Sequence, residues 1–288
     1  MPCKPLLIIQ MGVPPQDISA RFGEQGRWMQ DALGRIDGAA AQPWQADAFP
    51  LNVVRPSFGE ALPALDTVAG AVITGSWNMV TDLEDWSERT AGWIRQAHAA
   101  HVPMLGICYG HQLMAHALGG VVDFHPQGRE LGCYALQTLA DVSDDPWLSH
   151  LPADFNALLS HEQTVLTAPD CARVLARSAH DPHQILRYGA HALSVQFHPE
   201  FSPALMHACI SRRAGELASQ GVDTDAMLGN IQATPHAHEI LVRFAQHAWA
   251  SAGMYAGAAG QGVAPHPRVD RNDMAVSVGT FAPVAAPI

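Results

Sequence analysis

Positive charge and cysteine are both scarce in this sequence. Its 288 residues include 16 Lys and Arg against 27 Asp and Glu, which gives a formal net charge of −11. A nucleic-acid surface needs a basic stripe, so this balance argues against nucleic acid as a partner. The five cysteines are odd in number and follow no close spacing pattern. They are therefore predicted to be free thiols, which favours a reducing, cytoplasmic location.

Long apolar runs and metal-binding patterns are also missing. No stretch approaches the roughly 20 apolar residues that cross a bilayer, so no membrane association is expected. The first apolar run, around 5–11, lacks a small-residue cleavage site and is interpreted as a core strand rather than a signal peptide. The sixteen histidines show no zinc-type spacing, so neither a metal nor a cofactor is predicted.

Cys108 is the most informative residue of the chain. An apolar, strand-like run ends at Ile107, and the segment from Tyr109 has the apolar spacing of a helix. Gly106 and Gly110 flank the cysteine, in the thiol counterpart of the G-x-S-x-G nucleophile elbow. Small flanking residues let a strand and a helix approach closely, and a helix N-terminus favours a thiolate. Cys108 is thus a candidate nucleophile, and the structural alternative is a buried cysteine at a strand end.

Candidate partners for this cysteine stand far downstream. Residues 192–197 have the pattern of a buried strand, which ends in His198, Pro199 and Glu200. Side chains at i and i+2 of an extended chain share a face, so His198 and Glu200 project together. Pro199 keeps His198 out of the helical region and ends strand pairing. A cysteine nucleophile needs a base, and that base needs an orienting group, so these two residues are predicted to fill the two roles.

The order of the elements favours an α/β fold with a doubly wound, mostly parallel central sheet flanked by helices. The predicted strands are 5–11, 51–54, 68–74, 102–107 and 192–197, and the predicted helices include 84–100, 109–118 and 236–250. Shorter segments predict a small antiparallel insertion before the histidine strand, near 131–139, 157–160, 173–178 and 184–188. Ligands of such sheets bind beyond the carboxyl ends of the strands, where Gly75, Cys108 and His198 are expected to meet.

The domain is predicted to span residues 1–250. Beyond it the composition changes to Ala, Gly, Pro and Val with few charges and no periodicity. Such a segment buries too little apolar surface to offset the entropy of ordering it. Residues 251–288 are therefore predicted to form a flexible C-terminal tail, with a lid or partner-binding segment as the alternative.

Several segments of the chain, taken in order, resemble the class I (triad-type) glutamine amidotransferases. The specific matches are G-I-C-Y-G-H-Q at 106–112 and V-Q-F-H-P-E-F at 195–201, and the supporting ones are A-V-I-T-G-S at 71–76, G-R-E-L-G at 128–132 and S-H-E-Q-T-V at 160–165. The similarity is greatest to stand-alone relatives of the GMP synthetase glutaminase domain. It implies a flavodoxin-like fold and a triad of Cys108, His198 and Glu200. This triad would attack the side-chain amide of glutamine, release ammonia, and leave a γ-glutamyl thioester that water hydrolyses to glutamate.

The same resemblance implies roles for five further positions. The backbone N–H groups of Gly75 and Tyr109 would form the oxyanion hole, where losing one donor typically costs about 10²–10³ in rate. Gln112 would contact the bound glutamine. Glu162 and Gln163 align with positions whose main chain holds the amino-acid end of the substrate.

Residues 74–76 depart from the family, because Thr-Gly-Ser stands where Gly-Gly-Pro is usual. This departure resembles relatives that cleave γ-glutamyl peptides.

Three interpretations of the function stay open. The first is a glutaminase that delivers ammonia to a separate synthetase or acceptor subunit. The second is a γ-glutamyl hydrolase or peptidase that uses no ammonia acceptor, and the third is a catalytically silent regulatory relative.

Other aromatic and charged side chains near these motifs are predicted to have structural rather than catalytic roles. Trp77, Trp86 and Trp93 are interpreted as core or as pocket wall. His111 is expected to pack or hydrogen-bond locally rather than to act as the base. For Glu130, shaping of the pocket and a solvated surface charge are left as equal alternatives.

Overall fold

The computed structural model describes residues 4–34 and 50–253, in which strands and helices alternate along the chain. The strands are β1 (Leu6–Ile9), β2 (Leu51–Val54), β3 (Gly70–Ile73), β4 (Met104–Ile107), β5 (Val121–Phe124), β6 (Glu130–Thr138), β7 (Asp154–His161), β8 (Gln163–Thr167), β9 (Arg173–Arg177), β10 (Ile185–Arg187) and β11 (Ala192–Val195). The α-helices are α1 (Gln16–Phe22), α2 (Gln25–Gly34), α3 (Asp85–Ala99), α4 (Tyr109–Ala117), α5 (Pro203–Arg212), α6 (Ala214–Ser219), α7 (Thr224–Gly229) and α8 (Pro235–Ser251).

Nine of these strands form one sheet, in the order β2-β1-β3-β4-β11-β10-β9-β6-β7. The five strands from β2 to β11 are parallel to one another. The remaining four, from β10 to β7, each run antiparallel to their neighbours. The predicted α/β fold, with a mostly parallel sheet, flanking helices and an antiparallel insertion, is confirmed.

The insertion differs in one respect from the predicted pattern. Most of it extends the main sheet, while β5 pairs with β8 in a separate antiparallel ribbon. The predicted strands include neither β5 nor β8, and β5 has only four residues, most of them exposed. A strand without a buried face leaves no alternation of apolar and polar residues to detect.

Successive residues of β1 enter two different cores, one on each face of the sheet. Leu6 and Ile8 pack with side chains of α2 and α8, whereas Leu7 and Ile9 pack with side chains of α3 and α4. All four are completely buried, which explains why the strand is a continuous apolar run rather than an alternating one. Burying each such side chain stabilises the fold by roughly 1.5–3 kcal/mol.

Parallel pairing brings the carboxyl ends of three central strands to one edge of the sheet. Val195 pairs with Ile107, and Ile73 pairs with Gly106. The segments that follow these strands carry Gly75, Cys108 and His198, so the three meet at this edge, as predicted.

Two further predictions concern the ends of the chain and the membrane. Of the predicted tail, residues from 254 onward lie outside the described part of the chain, so that prediction stays a prediction. Within 4–34 and 50–253, no helix combines the length and apolar character that crossing a bilayer requires.

Candidate active site

Cys108 lies on a sharp turn between β4 and α4. Its φ of 51° and ψ of −102° place it in a region that residues with a side chain rarely adopt. Such a conformation costs on the order of 1–3 kcal/mol and is typical of functional sites. The turn is held by two backbone bonds: the Cys108 N–H donates to the Val195 carbonyl at 2.9 Å, and the Gly110 N–H donates to the Thr74 carbonyl at 3.1 Å.

The two flanking glycines are required by this close packing. A methyl group on Gly106 would lie 2.6 Å from the carbonyl oxygen of Gly110 and 2.6 Å from the Met114 sulfur. A methyl group on Gly110 would lie 2.2 Å from the carbonyl oxygen of Ile73. All three distances are far inside van der Waals contact, so neither position tolerates a side chain without moving the helix away from the sheet.

His198 and Glu200 form a buried pair just beyond β11. The Nδ1 atom of His198 donates to Oε1 of Glu200 at 2.8 Å, and both residues are at most 5% exposed. The backbone N–H of His198 donates to the Leu158 carbonyl at 2.8 Å, and its ring stacks on Phe201 with centroids 4.0 Å apart. These contacts fix both the position and the orientation of the imidazole.

The imidazole also interacts with the Cys108 sulfur. Burial opposes the charged ring, but the negative charge of Glu200 and the interaction with Cys108 outweigh it and raise the pKa of His198 to about 10. Since Nδ1 is bonded to Glu200, the nitrogen available to the sulfur is Nε2. A methyl group on Gly75 would lie 2.9 Å from Cε1 of His198 and 3.6 Å from Cβ of Cys108, so the two side chains converge on this glycine.

Two backbone N–H groups belong to residues next to Cys108: Tyr109 follows it in the chain, and Gly75 lies against its side chain. The neighbouring amide of Gly110 is bonded to Thr74, whereas the amides of Gly75 and Tyr109 have no acceptor among the residues that the structure places. The Tyr109 side chain is anchored, because its hydroxyl oxygen lies 2.7 Å from Oγ of Ser87. Burial raises the pKa of this phenol to about 12.

The remaining residues predicted to bind substrate line the same cleft as Cys108 and His198. Gln112 donates through Nε2 to the Gln163 carbonyl at 2.6 Å, and Gln163 accepts through Oε1 from the Val80 N–H at 3.0 Å. Glu162 accepts from Arg129 at 2.6 Å and from Arg213 at 3.3 Å. The structure therefore brings all of these predicted residues together, with their side chains held by neighbouring protein groups.

Several residues of the cleft were not predicted from the sequence. His161 lines the cleft and forms a buried pair with Glu130, with 3.0 Å between Nε2 and Oε2. The solvated alternative for Glu130 is therefore wrong, since that residue is only 2% exposed. Arg129 and Gln25 also belong to the cleft wall. Arg129 and His161 stand in the supporting matches at 128–132 and 160–165 but were given no role there, and no motif marks Gln25.

The structural roles predicted for His111 and for the three tryptophans agree with the structure. His111 is fully buried with Nδ1 2.7 Å from Oγ of Ser194, and burial lowers its pKa to about 3. Trp86 and Trp93 are core residues, while Trp77 is half-buried in the cleft wall. The four cysteines that the structure describes are free, and Cys3 lies outside the described residues. In the same ranges no cluster of His, Cys, Asp or Glu could hold a metal ion.

Comparison with protein-family models matches residues 47–214 to the glutamine amidotransferase class-I family. The chain belongs to this family. The predicted family is thus confirmed.

Two relatives and one solved structure show how similar this chain is to known proteins. Gamma-glutamyl peptidase 5 of Arabidopsis thaliana is 29% identical over 150 residues, which are 51% of this chain and 60% of that protein. A GMP synthase of Aeropyrum pernix is 37% identical over 145 residues, which are 50% of this chain and 26% of that protein. The chain thus spans less than two thirds of the length of both relatives. A glutamine amidotransferase structure from Thermotoga maritima is 20% identical, has a TM-score of 0.64, and covers 85% of this chain and 97% of its own. This last likeness shows the fold.

Proposed function

We propose that this class I glutamine amidotransferase hydrolyses the side-chain amide of glutamine through a γ-glutamyl thioester on Cys108. The observation that carries the proposal is the buried imidazole of His198, which Glu200 holds at 2.8 Å and which interacts with the Cys108 sulfur. A nucleophile next to a base, with a carboxylate that orients the base, is the arrangement that covalent catalysis by a cysteine requires.

The reaction begins with a charged pair. With a pKa of about 10, His198 is protonated at neutral pH, and its positive charge complements a Cys108 thiolate. The thiolate attacks the carboxamide carbon of glutamine, and the oxyanion accepts hydrogen bonds from the N–H groups of Gly75 and Tyr109. His198 then gives its Nε2 proton to the departing nitrogen, so the C–N bond breaks and ammonia leaves.

The second half-reaction reverses these roles. A water molecule gives a proton to the now neutral His198 and attacks the thioester carbon. Collapse of the tetrahedral intermediate breaks the S–C bond, restores the thiolate–imidazolium pair, and releases glutamate. Gln112 is proposed to contact the bound glutamine, and the main chain of Glu162 and Gln163 is proposed to hold the amino-acid end of the substrate, because all three residues line the cleft.

The ammonia that this reaction releases would be used by a second active site. The relative from Aeropyrum pernix is named a GMP synthase, and the alignment covers only 26% of it. We therefore propose a separate synthetase or acceptor subunit as the partner. The cytoplasmic location that the free cysteines favour also stays a prediction.

A second candidate function is supported by the loop after β3. Ser76 follows Gly75 where the family usually has proline, and one relative is named gamma-glutamyl peptidase 5. In this case the same chemistry releases an amino acid or a peptide instead of ammonia, and no acceptor subunit is needed.

The experiment that tests the proposal follows ammonia and glutamate from glutamine, and glutamate from γ-glutamyl peptides. Hydrolysis that is lost in Cys108→Ala and kept in the exposed-cysteine control Cys171→Ala is the expected result. Substantial activity in Cys108→Ala would remove Cys108 from the mechanism. An inactive wild-type protein that forms no thioester would instead support the silent, regulatory interpretation.

A further inference from the structure

Thr74 is a fully buried residue between β3 and Gly75, and the proposed mechanism gives its hydroxyl group no role. Its backbone N–H donates to the Ile9 carbonyl at 3.0 Å, and its own carbonyl accepts from the Gly110 N–H at 3.1 Å. Its hydroxyl oxygen accepts from the Met11 N–H at 3.0 Å and donates to the Gly75 carbonyl at 2.9 Å. Thr74 is therefore bonded to β1 and the segment after it, to the first turn of α4, and to the residue that follows it.

These bonds hold the peptide planes on both sides of Gly75. Glycine has no Cβ, so its own stereochemistry does not select one pair of φ and ψ values. The bond from Gly110 to the Thr74 carbonyl fixes the first plane, and because a trans peptide is planar, the Gly75 N–H points away from Gly110. The bond from the Thr74 hydroxyl to the Gly75 carbonyl fixes the second plane. Rotation about the Cα atom of Gly75 is thus restricted from both sides.

The loop that contains Gly75 also packs directly on the segment after β1. A methyl group on Gly12 would lie 2.5 Å from Oγ of Ser76. The same Oγ accepts from the Asn78 N–H at 3.0 Å and lies 3.1 Å from Oδ1 of Asn78, which closes a tight turn. The loop can therefore move away from β1 only if the bond between Met11 and the Thr74 hydroxyl breaks.

An oxyanion hole needs donors whose direction is fixed before the reaction starts, because no energy is then spent on turning them toward the developing charge. The Tyr109 N–H meets this need through its place at the start of α4. The Gly75 N–H belongs to a loop and depends on bonds from neighbouring groups. Glycine, which the family usually has at position 74, could make neither of the two bonds of the Thr74 hydroxyl.

We propose that Thr74 is a positioning residue for the oxyanion hole, and that its hydroxyl fixes the loop from which the Gly75 N–H is directed at the oxyanion. The inference rests on the proposed chemistry of Cys108 and adds no covalent step to it. The oxyanion forms only after the thiolate has attacked. Loss of the hydroxyl should therefore lower the turnover rate and leave the binding of substrate almost unchanged.

The test measures glutamate release by wild type, Thr74→Val and Thr74→Ser from glutamine and from a γ-glutamyl peptide, which pass through the same oxyanion. Thr74→Val has nearly the shape of threonine but no hydroxyl, and it should lower kcat about 10-fold while KM changes less than about 3-fold. Complete loss of an oxyanion donor costs about 10²–10³, and the smaller effect is expected because the bond from Gly110 remains. Thr74→Ser keeps the hydroxyl and should keep kcat within about 3-fold of wild type.

Two controls separate the oxyanion hole from the fold and from the nucleophile. Thr90→Val removes another fully buried hydroxyl, which donates to the Trp86 carbonyl at 2.8 Å within α3, and it should leave kcat unchanged. Iodoacetamide alkylates a thiolate without forming an oxyanion, so the alkylation rate of Cys108, followed by peptide mass mapping, should be equal in Thr74→Val and wild type. Thr74→Ala removes the same hydroxyl and replaces Thr74→Val in the comparison if that variant folds poorly.

Each outcome bears on one proposal. A kcat of Thr74→Val within about 2-fold of wild type, or an equal loss in Thr74→Ser, would overturn the role of the hydroxyl and leave the chemistry of Cys108 standing. Slower alkylation of Cys108 in Thr74→Val would overturn it too, because the nucleophile would then be disturbed. Absence of hydrolysis and of a γ-glutamyl adduct on Cys108 in wild type would overturn the proposed function itself, and this inference with it.

Discussion

Replacement of Glu200 by Gln is the sharpest test of the buried pair. The carboxylate lies 2.8 Å from Nδ1 of His198, and the His198 side chain is only 7% exposed. Raising the pKa of His198 from 6.5 to about 10 corresponds to up to roughly 5 kcal/mol of preference for the charged ring in the folded state. Glu200 is the stronger of the two attractions that oppose burial, so its loss should remove roughly 2–3 kcal/mol of this preference.

Glu200→Gln should lower the turnover rate rather than weaken the binding of substrate. The amide that Glu200→Gln introduces has no negative charge, so the ring of His198 is neutral more of the time and its tautomer is no longer dictated by a carboxylate. The analogous loss in a serine triad lowers kcat by about 10⁴, and we expect a decrease of about 10²–10⁴ here with little change in KM. Initial rates of glutamate release over a range of substrate concentrations measure both constants.

Stability should change with pH in a defined direction. Because the pKa of His198 is higher in the folded than in the unfolded state, its stabilising contribution is complete below about pH 6.5 and is lost as the pH rises through about 10. Urea unfolding at pH 6 and pH 9 should therefore show this loss in wild type and a smaller one in Glu200→Gln. The control is Glu239→Gln, which removes a half-exposed carboxylate paired with Arg243 on α8. Wild-type turnover in Glu200→Gln, or an unaltered pH dependence of unfolding, would refute the reasoning.

Three further predictions concern the nucleophile and its surroundings. Cys108→Ala should abolish glutamate release and leave the circular dichroism spectrum unchanged, and residual turnover above about one part in a thousand would contradict this. A glutamine-mimicking diazo-ketone should alkylate Cys108 rather than the exposed Cys171, and peptide mass mapping that finds the label elsewhere would count against it. Gly75→Ala should lower kcat strongly, because its methyl group would lie 2.9 Å from Cε1 of His198. Gly215→Ala, where no atom lies within 4 Å, is the matched control and should keep full activity.

The proposed reacting groups could be located in the sequence because short segments specify their geometry. The elbow depends on the spacing of Gly106, Cys108 and Gly110 within five consecutive residues, and its steric demands act between the adjacent strand and helix. His198 and Glu200 are brought to one face by the i, i+2 geometry of extended chain. The buried strands were predictable for a similar reason, since helices on both sides of a parallel sheet demand continuous apolar runs.

The walls of the cleft were not predictable in this way. Gln25 comes from α2 and His161 from β7, and the chain between these residues carries no common motif. Whether a Glu is solvated or bonded to a buried His depends on which strand pairs with which, and Glu130 meets His161 because β6 pairs with β7. β5 escaped prediction because its exposed residues carry no burial pattern.

The sequence by itself determined the backbone geometry of the nucleophile turn, the pairing of His198 with Glu200 and the class of fold, because these follow from steric and periodic constraints over a few residues. Only the tertiary structure decided which residues of other elements reach the edge of the sheet where these segments meet, such as His161 from β7 and Gln25 and Trp28 from α2. Contacts between distant segments depend on the packing of whole elements, which no local pattern of residues encodes.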